Sequence, residues 1–213
     1  MSLWSDIAIQ ISTSINNFFD IEKISSISGG CINQAYCIKN SKHSFFVKTN
    51  KNVNLHMFES EAMGLQEIQN SCSLRVPTPI CWGKNETNSY LVLEYIEMDH
   101  ITKNGSAALG TGLAEMHQKS FEKFGWIQNN TIGSTEQIND FSLDWINFWR
   151  KHRLGYQLQL AKTNGYTGII LKQGEYLMAE LKSFFPENPQ VASLLHGDLW
   201  HGNCSYDLTG HPV

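Results

Sequence analysis

The chain has 213 residues, 41% of them hydrophobic and 11% aromatic, which is enough apolar material for a substantial core in one domain or two small lobes. Charged residues make up only 17%, which excludes a disordered or coiled-coil chain. The net charge of −4 leaves no electrostatic footprint for nucleic acid or an anionic membrane surface.

No stretch is apolar for long enough to span a bilayer, and the residues after Met1 lack the basic start of a secretory leader. The five cysteines (Cys31, Cys37, Cys72, Cys81, Cys204) are odd in number and scattered, with no Cys-x-x-Cys pair. That disfavours a disulfide framework and a zinc site, and points to reduced thiols in a cytoplasm. The eight histidines show no ligand spacing either.

Leu3, Trp4, Ile7, Ile11, Ile15, Phe18 and Phe19 recur at helical spacing and predict an amphipathic helix over 3–19 that packs as a cover on the strands after it. Residues 21–27 read as a strand running into Ser28-Gly29-Gly30-Cys31-Ile32-Asn33. Two further strands are predicted, 34–39 and 45–49, joined by a polar turn at 40–42. A strand, a glycine-rich turn, a strand and then Lys48 is the order of a kinase small lobe. Gly29 and Gly30 would let backbone N–H groups, that of Cys31 among them, approach phosphate oxygens, and Lys48 would supply a cation. An ordinary hairpin and a solvated lysine use the same residues, so order and spacing carry the inference.

A helix comes next, with Met57, Phe58, Met63, Leu65 and Ile68 apolar. Of its acids, Glu61 is expected to pair with Lys48, and Glu59 and Glu67 to face solvent. Val76-Pro77-Thr78-Pro79-Ile80 is extended, because each proline biases its predecessor away from helix. A turn is predicted at 84–88, then a buried strand over 90–96. The chain leaves this strand through a hinge at 94–99, where backbone groups of Glu94, Tyr95 and Ile96 could bond an adenine edge.

Composition changes here. Residues 1–99 are strand-rich and form the expected nucleotide-binding small lobe, whereas residues 100–213 form a partial helical lobe. Within it, a helix over 104–120 carries His117, expected in the core or in a supporting position. A long connection over 121–140 holds Trp126 and invites substrate contacts. Helices are predicted over 142–162 and 167–185, the second stopped by Pro186 and Pro189. A short strand at 191–195 delivers His196-Gly197-Asp198-Leu199-Trp200-His201-Gly202-Asn203. This octapeptide suits phosphoryl transfer to a hydroxyl: Asp198 would accept or orient the hydroxyl proton, and the Asn203 oxygen would bind Mg²⁺. A tight turn between strands would use the same residue types. Strands at 204–206 and from 211, joined by a turn at 207–210, close the chain.

With these residues in place, the chain resembles the fructosamine kinase (ketosamine-3-kinase) family, of the aminoglycoside-phosphotransferase-like kinase fold. The resemblance runs over Gly29-Gly30-Cys31-Ile32, Phe46-Val47-Lys48, Phe58-Glu59-Ser60-Glu61-Ala62, Val76-Pro77-Thr78-Pro79, Leu113-Ala114-Glu115-Met116-His117, Phe124-Gly125-Trp126, Ile132-Gly133-Ser134-Thr135 and Asp144-Trp145-Ile146-Asn147-Phe148. It is most specific at Leu195-His196-Gly197-Asp198-Leu199-Trp200.

The resemblance implies an α+β, two-lobed protein-kinase-like fold with ATP and Mg²⁺ as cofactors. It implies phosphorylation of a sugar hydroxyl on small-molecule or protein-linked ketosamines, in the service of protein deglycation. Carried over, Lys48 holds the ATP phosphates, Glu61 orients it, Asp198 is the base and Asn203 a metal ligand. Trp200, His201 and Trp126 are candidate substrate contacts. His201 departs from the small residue usual in the family. Family members also continue into a strand and an Asp-Pro-Ala segment whose Asp binds the metal, so the chain reads as C-terminally truncated at Val213, with its activity open. A catalytically dead nucleotide-binding module, a fragment, and a small-molecule kinase of the aminoglycoside or choline type are the alternatives.

Overall fold

The computed structural model describes residues 2–28, 32–99, 103–185 and 190–213. Gly29, Gly30 and Cys31 lie outside the described residues, as do Pro186 and Pro189. In chain order the elements begin with α1 (Leu3–Ser14), β1 (Lys23–Ile27), β2 (Gln34–Lys39), β3 (Ser44–Lys51), α2 (Leu55–Ser71), β4 (Pro79–Lys84), β5 (Asn88–Glu94) and β6 (Met98–Asp99). They continue with α3 (Lys103–His117), β7 (Ser120–Phe121), β8 (Asn130–Ile132), β9 (Thr135–Gln137), α4 (Trp145–Trp149), α5 (Gly155–Thr163), α6 (Ile169–Glu180), β10 (Ala192–Ser193) and β11 (Tyr206–Asp207).

β1 to β5 form one antiparallel sheet in the order β1-β2-β3-β5-β4. Side chains alternate across a strand, so each strand feeds two cores. On one face, Phe45 and Val47 of β3 and Tyr90 and Val92 of β5 meet Ile7 and Ile11 of α1, with Ile38, Phe19 and Cys81. On the other, Leu91 and Leu93 of β5 meet Phe58 and Ala62 of α2, and Phe46 packs against them. With both faces covered, the middle of β5, from Tyr90 to Leu93, is apolar at four successive residues.

The first helix is shorter than its periodicity predicts. It ends at Ser14; Asn16 takes a left-handed φ of 50°, and the Ser12 hydroxyl accepts from the Phe19 N–H at 2.9 Å. That turn buries Phe19 and leaves Phe18 81% exposed. The predicted helix over 142–162 is also not uniform. Between α4 and α5 residues Arg150–Leu154 form a π-helical turn, where Gly155 lies so close to the Arg150 carbonyl that a Cβ would collide with it. His117, expected inside, is exposed at the end of α3.

By packing, the chain divides into two compact units, residues 1–116 with 195–213, and residues 117–194. These bounds cut the chain differently from the expected lobes 1–99 and 100–213. In the first unit β6 pairs with β11 (Met98 with Asp207, Asp99 with Tyr206), and the same unit takes in the octapeptide segment and most of α3. The second unit holds the β8–β9 hairpin inside the predicted long connection, the β7–β10 pair, and α4 to α6. It is organised by Arg153, whose guanidinium donates to the Ile138 carbonyl and Asn139 Oδ1, both at 2.7 Å, and lies 4.6 Å from the Phe148 ring centre. No helix among the described residues is long and apolar enough to cross a membrane.

Candidate active site

Lys48 and Phe46 share the α2 face of β3, because both stand one residue out of step with the buried Phe45 and Val47. On α2, Glu61 comes three residues after Phe58 and four before Leu65, so it shares the stripe that faces the sheet. The two periodicities meet: Lys48 Nζ donates to Glu61 Oε1 at 2.6 Å, and about 30% of each side chain remains exposed. The pair is half-sheltered, with its cation still reachable from solvent.

The expected hinge begins where β5 ends. The Glu94 N–H is taken up by the Thr78 carbonyl at 2.8 Å. Its carboxylate accepts from Arg75 Nη2 at 3.0 Å and from the Thr78 N–H and hydroxyl, both at 3.3 Å. The Glu94 side chain therefore anchors the approach to β4. Tyr95 is half-buried and Ile96 buried, so this stretch offers a ligand its backbone more than its side chains.

In the loop at 196–203, Gly197 takes a φ of +86°, which suits glycine. His196 Nδ1 accepts from the Asp198 N–H at 3.3 Å, and burial pushes the imidazole below its usual range, against the pull of Asp198. Asn203 Nδ2 donates to both the Asp198 carbonyl and Asp198 Oδ2, each at 2.9 Å. That leaves Asn203 Oδ1 turned away from its carboxylate neighbour, an oxygen of the hard type that Mg²⁺ prefers. Among the described residues no three His, Cys, Asp or Glu side chains gather as a metal set.

Trp200 is 53% exposed and lies over Gly202, whose Cβ, if it had one, would sit 2.5–2.9 Å from the ring. The exposed His201 ring meets Trp200 edge-on at 4.7 Å. Asp198, Trp200, His201 and Asn203 thus occupy one short loop of the first unit, with Lys48 and Glu61 elsewhere in that unit. Trp126 belongs to the second unit, where its N–H donates to the Asn139 carbonyl at 2.9 Å. Sequence reasoning passed over Arg75 and Asp207. Arg75 Nη1 donates to Asp207 Oδ2 at 2.7 Å, across 132 residues of chain. The only local signal is the Asp-x-Thr-x-His spacing at 207–211, in which Asp207 Oδ1 accepts from Thr209 Oγ1 at 2.6 Å, the Thr209 N–H at 2.9 Å and the His211 N–H at 3.0 Å.

The family model for fructosamine kinase matches residues 3–213. A protein-ribulosamine 3-kinase of rice (Oryza sativa subsp. japonica, chloroplastic) is 44% identical over 196 residues, covering 91% of this chain and 57% of its own length. A probable ketoamine kinase of Synechocystis is 38% identical over 211 residues, 99% of this chain and 70% of its own. Among solved structures, a candidate fructosamine-3-kinase from Haemophilus somnus 129PT superposes with a TM-score of 0.86 at 23% identity, over 99% of this chain and 72% of that one. An aminoglycoside phosphotransferase solved with ADP and hygromycin B matches at 0.63 and 12% identity, over 100% and 69%. At these identities the two structures show the fold, an α+β kinase-like one. The chain spans little more than half the length of its rice relative.

Proposed function

Because the chain belongs to the fructosamine kinase family, we propose that it acts as an ATP-dependent kinase, moving the γ-phosphoryl group of ATP to a sugar hydroxyl of a ketosamine. The observation that carries this reading is the 2.6 Å contact between Lys48 and Glu61, a cation oriented by a helix acid on an otherwise apolar sheet face. The names of the rice and Synechocystis relatives, a ribulosamine kinase and a ketoamine kinase, together with the fructosamine kinase family model, support the substrate class, a fructose or ribulose unit joined to an amine. The ADP complex of the aminoglycoside phosphotransferase supports the nucleotide.

In this reading Lys48 holds phosphate oxygens, Glu61 keeps its ammonium aimed, and backbone groups at 94–96 take the adenine edge. Asp198 takes the proton of the sugar hydroxyl as that oxygen attacks the γ-phosphorus and ADP leaves. Asn203 holds Asp198 Oδ2 through its amide N–H, and its Oδ1 would be the oxygen that holds Mg²⁺. Bound there, Mg²⁺ would neutralise charge on the phosphates. The exposed Trp200 ring, with His201 against it, offers the sugar a flat apolar surface with a polar neighbour. A reducing, cytoplasm-like compartment suits the free thiols of Cys37, Cys72, Cys81 and Cys204.

The test is ADP formation by this chain with Mg·ATP and either fructosyl-lysine or ribulosyl-lysine. Ketosamine-dependent ADP is expected, abolished in Asp198→Asn while ATP binding persists. ATP binding with no ketosamine-dependent ADP would replace the kinase reading with a nucleotide-binding module. Stimulation by an aminoglycoside or choline instead would move the substrate class.

A further inference from the structure

The loop carrying Asp198 and Asn203 makes mostly local bonds. Asn203 Nδ2 reaches Asp198, and the Asn203 N–H donates to the Trp200 carbonyl at 2.9 Å. The next element along the chain is β11, a two-residue strand paired with the two-residue β6. A ladder that short is weak in isolation. One side chain reinforces it. Arg75, in the connection between α2 and β4, places Nη1 2.7 Å from Asp207 Oδ2 on β11 and Nη2 3.0 Å from Glu94 Oε1 at the end of β5.

Every partner in this bridge is itself pinned. The second Glu94 oxygen is held by the Thr78 N–H and hydroxyl. The second Asp207 oxygen is held by Thr209 and the His211 N–H. The connection before Arg75 is seated on α3, where Gly112 comes so near that a Cβ would stand 2.7 Å from the Ser73 carbonyl oxygen. A planar fork with separate nitrogens can hold two carboxylates at once, and a lysine cannot match it. Without the guanidinium, two carboxylates would face each other and drive the end of β5 and β11 apart.

We propose that Arg75 is a positioning residue for phosphoryl transfer: by tying Asp207 to Glu94 it fixes β11, and through β11 the Asp198–Asn203 loop, relative to the sheet that carries Lys48. This rests on the kinase reading above. Arg75 follows the end of α2, the helix that carries Glu61, by four residues but makes neither contact of the Lys48–Glu61 pair, so its bridge acts on the catalytic loop side.

Steady-state kinetics and amide hydrogen exchange on Arg75→Met, Arg75→Lys and Asp207→Asn test the proposal. Arg75→Met is expected to lower kcat by about tenfold or more while KM for ATP stays within about threefold, since Lys48 and Glu61 are untouched. Arg75→Lys should recover part of the loss. Without nucleotide, the amides of Ser205, Asp207 and Val213, which close the C-terminal turn, should exchange faster in Arg75→Met. Should that variant not fold, Arg75→Lys and Asp207→Asn carry the same comparison. An active wild type whose variants keep kcat within about twofold, or unchanged exchange in a folded variant, overturns the positioning role alone. A wild type that turns over no ketosamine overturns the kinase reading and this role together.

Discussion

Replacing Lys48 by Met separates a phosphate-holding lysine from one that only braces α2. The ammonium stands 2.6 Å from Glu61 with 29% of its side chain exposed, between the surface and buried limits for an ion pair. A charged hydrogen bond of this kind contributes about 1.5–3 kcal/mol, so the variant should lose no more than about that in stability and remain folded. At about 4 Å from a phosphate oxygen, a unit charge gains about 4 kcal/mol at the effective dielectric near a protein surface. Desolvation of the ammonium and competition from Glu61 cut this to a net of about 2 kcal/mol, a loss of about 30-fold in ATP affinity. Adenosine has no phosphate, so its affinity should change by less than about twofold. Glu61→Gln keeps a hydrogen-bond acceptor but loses the charge, and should cost ATP about fivefold. Isothermal titration of ATP and adenosine against the three proteins is the assay. Equal weakening of both ligands would make Lys48 a structural brace, and unchanged ATP affinity would remove it from the phosphates altogether.

Three other outcomes are expected. Gly202→Ala should push the exposed Trp200 ring aside, since the new Cβ would stand 2.5–2.9 Å from its atoms; the emission of Trp200 should shift for a stability loss of under about 1 kcal/mol. Gly112→Ala meets the Ser73 carbonyl, backbone that cannot swing away, so it should destabilise by about 1–3 kcal/mol and lower the thermal midpoint. Asp207 is held down to about 2, chiefly by the Thr209 hydroxyl, with the His211 and Thr209 N–H groups and Arg75 adding to it. A depressed carboxylate contributes stability above its unfolded value of about 3.9 and loses it as pH falls through about 2. Asp207→Asn should therefore flatten acid unfolding between about pH 4 and 2, and an unchanged acid limb would contradict the Asp207 network.

The local elements were largely legible. The strand over Gln34–Lys39, the helix around Glu61 and the apolar run of β5 follow from residue type and period, and the alternation in Phe45-Phe46-Val47-Lys48 puts the lysine opposite Glu61 once both elements are granted. Elements that rest on close approach were not legible. The early end of α1, the π-helical turn at 150–154 and the seating of Trp200 on Gly202 depend on contacts that hydrophobic period does not encode.

By itself, the sequence determined the local setting of the residues the proposed kinase reading uses: Lys48 and Glu61 lie on apolar stripes of neighbouring elements, and Asp198 and Asn203 lie five residues apart in one glycine-containing segment. Only the tertiary structure decided what holds those elements together. Along the chain Arg75 and Asp207 look like ordinary surface charges and Glu94 like the start of a hinge, and the three become one bridge because β6 and β11, more than a hundred residues apart, pair beside them. A periodic pattern reports the face a residue takes within its own element, whereas an ion pair across 132 residues depends on where the whole fold brings two elements together.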